Sequence, residues 1–340
     1  MTVVGLAGWA VAACGSGPER LDVPLGVHLA ARAALNHAGL SRADVTGVVL
    51  AGSDAWDGRL ISSMHIAGPA GGYLRDETKV VDDPSVALAS AVWRVSSGAD
   101  RAVLVVSWHS PAESDPLNAV SPDPEPVFSR PVGAHPLAAE ALAVTRWLEA
   151  HGLSADRFDS LTAFLAPDKA DDDRLWFTPL RAAHVAPVDG AAVAVLVSAD
   201  GARVEIKAVD FATDSALPLE QHPDPVGRLR QRILARTGSD PAHAEVVETT
   251  DRTVFRLVMA ASALGLGQPS EVADAVIEGG LPHLQPSGGL FRRNAGYAAG
   301  LERIVCAAEA VERGAVSALA HCSYGRAGQG HSLTVLAAPL

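Results

Sequence analysis

SVALASAVWRVSSGADRAVLVVSW, residues 85–108, changes its period halfway along. Ala, Val and Leu recur at helical spacing over 84–97, Gly98 stops the helix, and Asp100-Arg-Ala-Val-Leu-Val-Val-Ser107 follows as an apolar run of strand length. An uninterrupted apolar strand behind a helix is buried on both faces, as a strand inside packed α/β layers is. Upstream, 3–13 is β-like, 23–38 is helical with Gly39 as its closing glycine, and Ser41-Arg-Ala-Asp44 leads into a short strand over 45–51. The same grammar returns downstream. A strand ends over 246–248, a helix over 254–266 closes at Gly267, another covers 298–312, and strands follow over 316–321 and 333–338. A β–α–β–α–β order written twice predicts a pseudo-duplicated α/β fold.

Between the two halves, 111–186 is Pro- and Asp-rich at both ends, carries one helix over 136–151, and reads as a lid or substrate loop, in preference to a poorly ordered surface excursion. Residues 187–198 return to the sheet and 201–211 form the partner strand. The expected organisation is a first half over 1–110, an insert over 111–186, and return strands with the second half over 187–340. A length of 340 residues suffices for a large core. Lys+Arg 27 against Asp+Glu 39 gives a net charge of −12, which repels phosphate backbones and anionic lipid, so neither nucleic acid nor membrane is an expected partner. No apolar run is long enough to span a bilayer, and the apolar start lacks a basic leader and is taken as the first strand. Cys14, Cys306 and Cys322 are too widely spaced for a disulfide framework or a Cys-rich zinc site, which fits a reducing cytoplasm. His65, His109 and His135 stand in no metal-ligand spacing, and the RLRQR run at 228–232 is expected on the solvated face of a helix.

Taken in order, several segments resemble the thiolase superfamily, in particular its sterol-carrier-protein-type and thiolase-like branches. GVHLAARAALNHAGLSRADVTGVVLAG (26–52) is similar to their first helix and strand, and 85–108 to the helix behind the nucleophile with its strand. VDGAAVAVLVS (188–198) looks like their DGA strand, and VVETTDRTVFRLVMAASALGLG (246–267) like their His-Asp segment. QPSGGLFRRNAGYAAG (285–300) looks like their Gly-Gly loop and Gly-His-Pro motif, and its PSGG loop is the most specific match. The resemblance covers most of the chain outside the insert. It implies a thiolase-like five-layer α-β-α-β-α sandwich of two similar halves, packed as a homodimer. It also implies a CoA or phosphopantetheine thioester as substrate carrier, no permanently bound cofactor, and a small OB-fold partner.

Thiolases perform Claisen chemistry with a Cys at a helix N-terminus, where the macrodipole favours thiolate, assisted by His residues and a second Cys. Here the nucleophile position falls near Val81 to Asp83, where there is no cysteine. Thr250, with Asp251 retained, stands at the first His position, Asn294 at the second, and Cys322 in HCSYGRAGQGH at the C-terminal Cys. Asp83 either caps the helix begun by Pro84 or serves as a base where thiolases keep sulfur; Ser85 is a first-turn residue. Thr250 and Asp251 either orient a water or substrate carbonyl or begin the following helix. Asn294 can donate to an oxyanion without shuttling protons. Cys322, flanked by His321, Tyr324 and His331, is either strand-end packing or part of a polar functional cluster. Tyr297 and Tyr324 fall in the last two motifs, and thiolase-like aldolases that lost the Cys use tyrosine for retro-aldol proton transfer; otherwise each packs on a loop with a wet hydroxyl. Gly288 and Gly289 are expected in a pantetheine-contacting loop or a plain tight turn. The function expected is carbon–carbon bond formation or cleavage on a thioester, of acyltransferase or aldolase type. The alternative is a non-catalytic scaffold subunit of an active thiolase or ketosynthase complex.

Overall fold

The computed structural model of the chain describes residues 3–15, 20–113, 127, 131, 135–169, 172–215, 217, 224–325 and 327–339. Among them run the strands β1 Gly5–Ala13, β2 Gly47–Ala51, β3 Asp76–Val80, β4 Ala102–His109, β5 Leu175–Phe177, β6 Leu180–Arg181, β7 Ala191–Ser198, β8 Val204–Thr213, β9 Val246–Thr249, β10 Ser317–Tyr324 and β11 Gly330–Ala337. Nine of these form one sheet in the order β3-β2-β4-β7-β1-β8-β11-β10-β9, and β5 pairs with β6 in a separate ribbon. At the centre β1 and β8 share only the pairs Gly5↔Glu205 and Leu6↔Val204, so the sheet is two half-sheets joined at a corner.

The halves repeat one plan. In each, the first strand lies antiparallel to the last (β1 with β7, β8 with β11), and the last lies antiparallel to its other neighbour (β4, β10). That neighbour then pairs in parallel with β2 or β9. Beyond β2 the parallel strand is β3; beyond β9 only a parallel bridge, Val247↔Leu284, remains of it. The return strand β7, which follows the insert in the chain, pairs with β4 and β1 in the first half-sheet. Hydrogen bonding, not chain order, sets its place.

Strand alternation sorts side chains into layers. Val103 and Val105 of β4 and Val193, Val195 and Val197 of β7 face one core, shared with the helices Pro84–Ser96 and Ala299–Glu312. Leu104, Val106, Ala194 and Leu196 face the opposite way, onto the helix Val23–Ala38. In the second half Leu319 and Leu333 face outward onto the helices Pro225–Thr237 and Val254–Ala263, while Ala318, Ala320 and Leu336 face the shared core. The result is helix, half-sheet, two central helices, half-sheet, helices: the five-layer α-β-α-β-α sandwich. Ala299–Glu312 is buried nearly all round, as a central helix must be, and its internal charges are paired: Arg303 with Glu248 at 3.2 Å and with Glu302 at 3.4 Å.

The helix Val23–Ala38 ends at Gly39 with φ +68°, as its sequence requires. The helix expected over 254–266 stops earlier, at Ala263, because Gly265 (φ +81°) rather than Gly267 takes the left-handed position. The RLRQR arginines lie on the helix Pro225–Thr237, where Arg228, Arg230 and Arg232 pair with Asp214, Asp240 and Asp210. The described part of the insert joins the outer layer of the second half: Val144, Leu148, Phe158 and Leu161 pack with Phe255 and Val258. The rest of the insert, 114–126, 128–130, 132–134 and 170–171, lies outside the described residues. No helix among the described residues is long and apolar enough to cross a membrane.

Candidate active site

The two central helices begin at the same place. Asp83 is the N-cap of Pro84–Ser96, its carboxylate accepting from Ser85 N at 2.9 Å and Ser85 Oγ at 2.5 Å. Gly300 lies in the first turn of Ala299–Glu312, and any side chain there would collide with the Asp83 carboxylate. Glycine is thus what lets the second helix start against the cap of the first. Two macrodipoles therefore direct their positive ends at one point, a setting that favours developing negative charge.

That point is the wall of a cavity of about 250 Å³. Of the residues singled out in the sequence, Asp83, Thr250, Asn294, Tyr297 and Tyr324 line it together. Asn294 is buried and its Oδ1 accepts from Gly296 N at 2.9 Å, which leaves the Nδ2 donors for a group in the cavity. Its own N–H is anchored on Asp189 Oδ2 at 3.0 Å. Tyr297 Oη donates to the Asp82 carbonyl at 3.3 Å, and its ring lies 5.9 Å from that of Trp56. Tyr324 sits in register opposite Gly330, whose missing side chain makes room for the phenol ring, and its hydroxyl hydrogen-bonds Thr213 Oγ1 at 3.2 Å. Burial pushes the Tyr324 phenol up to about 12, so it holds its proton at neutral pH. Burial also pushes the Asp83 carboxyl upward, against the lowering effect of the Ser85 hydrogen bonds.

Four candidates lie off the wall. Cys322 is fully buried, with Sγ 3.4 Å from the Gly300 carbonyl, and burial raises its thiol pKa far above the ordinary value, which disfavours thiolate. Of the polar cluster expected around Cys322, the two histidines drop out, because successive residues of a strand face opposite sides, whereas Tyr324, two residues on, shares the Cys322 face and Ser332 and Ser85 lie beside the thiol. Cys322 points to the central layer; His321 and His331 face the outer side, 3.1 Å apart from Nε2 to Nδ1. Asp251 accepts from Leu290 N at 2.8 Å, and burial lifts its carboxyl to about 7. It does not begin the next helix, and neither does Thr250: Thr253 caps that helix, while Thr250 Oγ1 accepts from Ser323 N at 2.7 Å and so ties β9 to β10. Gly288 (φ +86°) and Gly289 (φ +63°) form the turn behind the wall, where any side chain on Gly289 would meet Asp251. They wrap a carboxylate rather than line the cavity.

Sequence reading missed three wall residues. Arg252 adds a cation and braces the turn after β10, donating to the carbonyls of Ser323 at 2.9 Å and Gly325 at 3.3 Å. It directly follows Thr250-Asp251, so a wider window on that motif would have included it. Trp56 and Glu140 come from the one-turn helix Asp54–Asp57 and from the insert helix Pro136–His151, and no local pattern marks either. The lining provides the carboxylates of Asp82, Asp83 and Glu140, the Arg252 cation, two phenols, an amide donor and two helix N-termini; it is suited to proton transfer and oxyanion stabilisation.

The histidine pair implies acid lability. Burial, with the Arg256 charge nearby, drives the His321 imidazole down to about 3, and burial with His321 beside it lowers His331 well below its ordinary value. Both are neutral in the fold, so the unfolded chain, with histidine near 6.5, binds protons first. Their stability contribution is full above about pH 6.5 and is lost as pH falls from there toward 3. Thermal melts should show Tm dropping steadily from pH 7 to pH 5, and the drop should shrink in His331→Gln. An identical slope in that variant would remove the pair as its cause.

No protein-family profile and no curated protein matches this sequence. Solved structures do share its architecture. The Ltp2-ChsH2(DUF35) aldolase superposes with a TM-score of 0.77 over 99% of this chain and 98% of that chain, at 18% identity. An acetyl-CoA acetyltransferase from Syntrophomonas wolfei does so with a TM-score of 0.71 over 100% of both chains, at 14% identity. The fold is thiolase-like.

Proposed function

We propose that this chain makes or breaks the bond between the α and β carbons of an acyl-CoA or carrier-protein thioester, by aldol-type chemistry without an acyl-enzyme. The observation that carries this reading is the meeting of Asp83, Asn294, Tyr297 and Tyr324 at two helix N-termini, around a cavity whose described lining includes no cysteine. In the cleavage direction the substrate is a 3-hydroxyacyl thioester. Asp83 takes the hydroxyl proton, C3 becomes a carbonyl as the C2–C3 bond breaks, and the electron pair passes to C2 as a thioester enolate. Asn294 and the helix N-termini stabilise the enolate oxygen, and a tyrosine hydroxyl returns a proton to C2.

The likeness to an aldolase supports this choice over Claisen transfer, and the ChsH2(DUF35) component in that protein's name supports a partner subunit here as well, for which the sequence resemblance implies a small OB fold. A homodimer across the free edge of β3 is supported by the exposed Leu60, Ile61, Met64 and Leu74 in the segment leading into that strand. The test is mass spectrometry of the natively purified protein after incubation with a panel of 3-hydroxyacyl-CoAs. The expected result is a shortened acyl-CoA with a matching aldehyde or ketone, an unmodified polypeptide mass, and a native mass of two copies plus the small subunit. A stoichiometric acyl adduct on Cys322 or Ser85 would overturn the mechanism. Turnover of no thioester with the partner bound would favour the scaffold role.

A further inference from the structure

A second concavity, of about 610 Å³, lies behind the wall of the first. Val188 and Asn294 face the candidate active site, whereas their chain neighbours Asp189, Gly190 and Ala295 face this groove. One side is a face of the helix Ala299–Glu312, with Arg303, Cys306 and Glu309 at three-residue steps and Arg313 at its end. Arg20 and the ends of β1 and β7 form the other side, and Arg292 and Arg293 enter from the Gly-Gly loop. Five arginines and two carboxylates, Asp189 and Glu309, line the groove; Asp189 pairs with Arg20 at 3.6 Å, and Glu302 and Glu248 behind the lining pair with Arg293 at 2.5 Å and with Arg303 at 3.2 Å, so Arg292 and Arg313 are the least committed of the five.

The internal pairing does not use up the donors. Arg292 makes no hydrogen bond or ion pair with any described residue. It is nonetheless directed, because its side chain runs over Gly288, where an added Cβ would stand 2.8 Å from Arg292 Cδ. Arg303 is 1% exposed and gives Nη1 to Glu248 and Ser287, yet its Nε has no acceptor among the described residues. Arg313 is tied only to Glu309, at 3.5 Å on the exposed end of the helix, a weak contact. Guanidinium groups match phosphate oxygens in paired hydrogen bonds, and the volume falls in the range of small-molecule sites.

We infer that this groove binds a phosphate-bearing small molecule, with a diphosphate as the unit its converging arginines fit. The site stands apart from the proposed reaction and does not depend on it. Two sources supply the same chemistry: the nucleotide end of a CoA thioester, or a free nucleotide or diphosphate. Isothermal titration calorimetry on the full chain at low ionic strength, with inorganic pyrophosphate, ADP and CoA as probes, tests it. Pyrophosphate should bind saturably with one site per chain and more weakly as salt is added. The double variant Arg292→Ala/Arg313→Ala, both exposed positions, should weaken binding by about tenfold or more. The control Arg228→Ala/Arg232→Ala, on a different helix, should leave it unchanged. Both sources keep the site: loss of CoA affinity in the double variant identifies the nucleotide end of the carrier, and unchanged CoA affinity identifies a separate phosphate ligand. No saturable binding at millimolar pyrophosphate, or equal affinity in the double and control variants, overturns the inference.

Discussion

Tyr324→Phe is expected to lower turnover by about two orders of magnitude or more while leaving Tm nearly unchanged. The substitution keeps the ring that fills the space over Gly330 and removes only the hydroxyl. That hydroxyl has one modest structural contact, Thr213 Oγ1 at 3.2 Å, so its loss costs little stability. Its proton is retained at neutral pH because burial pushes the phenol up to about 12, which makes it an acid available for delivery rather than a phenolate. Tyr297→Phe tests the second phenol in the same way, with the Asp82 carbonyl contact at 3.3 Å as the structural part of the loss. Cys322→Ala is the discriminating control. Its thiol packs behind the wall against Gly300, so turnover should survive with a modest loss of stability. A rate unchanged in Tyr324→Phe, or abolished in Cys322→Ala with no change in Tm, would reverse the assignment of roles.

Glu140→Gln should be the most destabilising single change at the cavity wall. Glu140 meets Arg256 in a paired contact, 2.7 Å from both Nε and Nη2, with side-chain exposures of 11% and 8%. Burial alone would raise the Glu140 carboxyl, but the guanidinium outweighs it and holds the carboxyl below its ordinary value. Removing the negative partner leaves a buried arginine uncompensated, at a cost of about 3–5 kcal/mol. For a chain of this size that corresponds to a fall in Tm of roughly 4–7 °C. The apolar pair Glu140→Leu/Arg256→Met should recover much of the loss, because it removes both desolvation penalties together. Scanning calorimetry of the three proteins decides the matter: a single variant as stable as the parent would mean that the pair is solvated in solution. Glu140 comes from the insert helix and Arg256 from the helix after β9, so the same measurement reports how firmly the insert is fastened to the second half.

The layers were legible in the sequence, because the information that specifies them is local. The switch of period at Gly98, the apolar runs of β4 and β7, and the closing glycine at Gly39 each state a conformation within a dozen residues, and the structure follows them. The lack of a thiol at Val81 to Asp83 is equally a property of the string. The membership of the site is not. Ser85 and Ser332 share a hydrogen bond across 247 residues of chain, and the start of one central helix meets the cap of another that lies more than two hundred residues earlier. Adjacency in sequence even misled at Cys322, because a strand sends its neighbours His321 and Ser323 to the opposite face. The chain alone determined the main helices and strands of the repeated plan, though not the edge strand Asp76–Val80 or the helix Pro269–Ile277, and it determined which side chains can do chemistry. Only tertiary structure decided which of those side chains share a cavity, because strand register and the facing of packed layers are set by contacts between segments far apart in the chain.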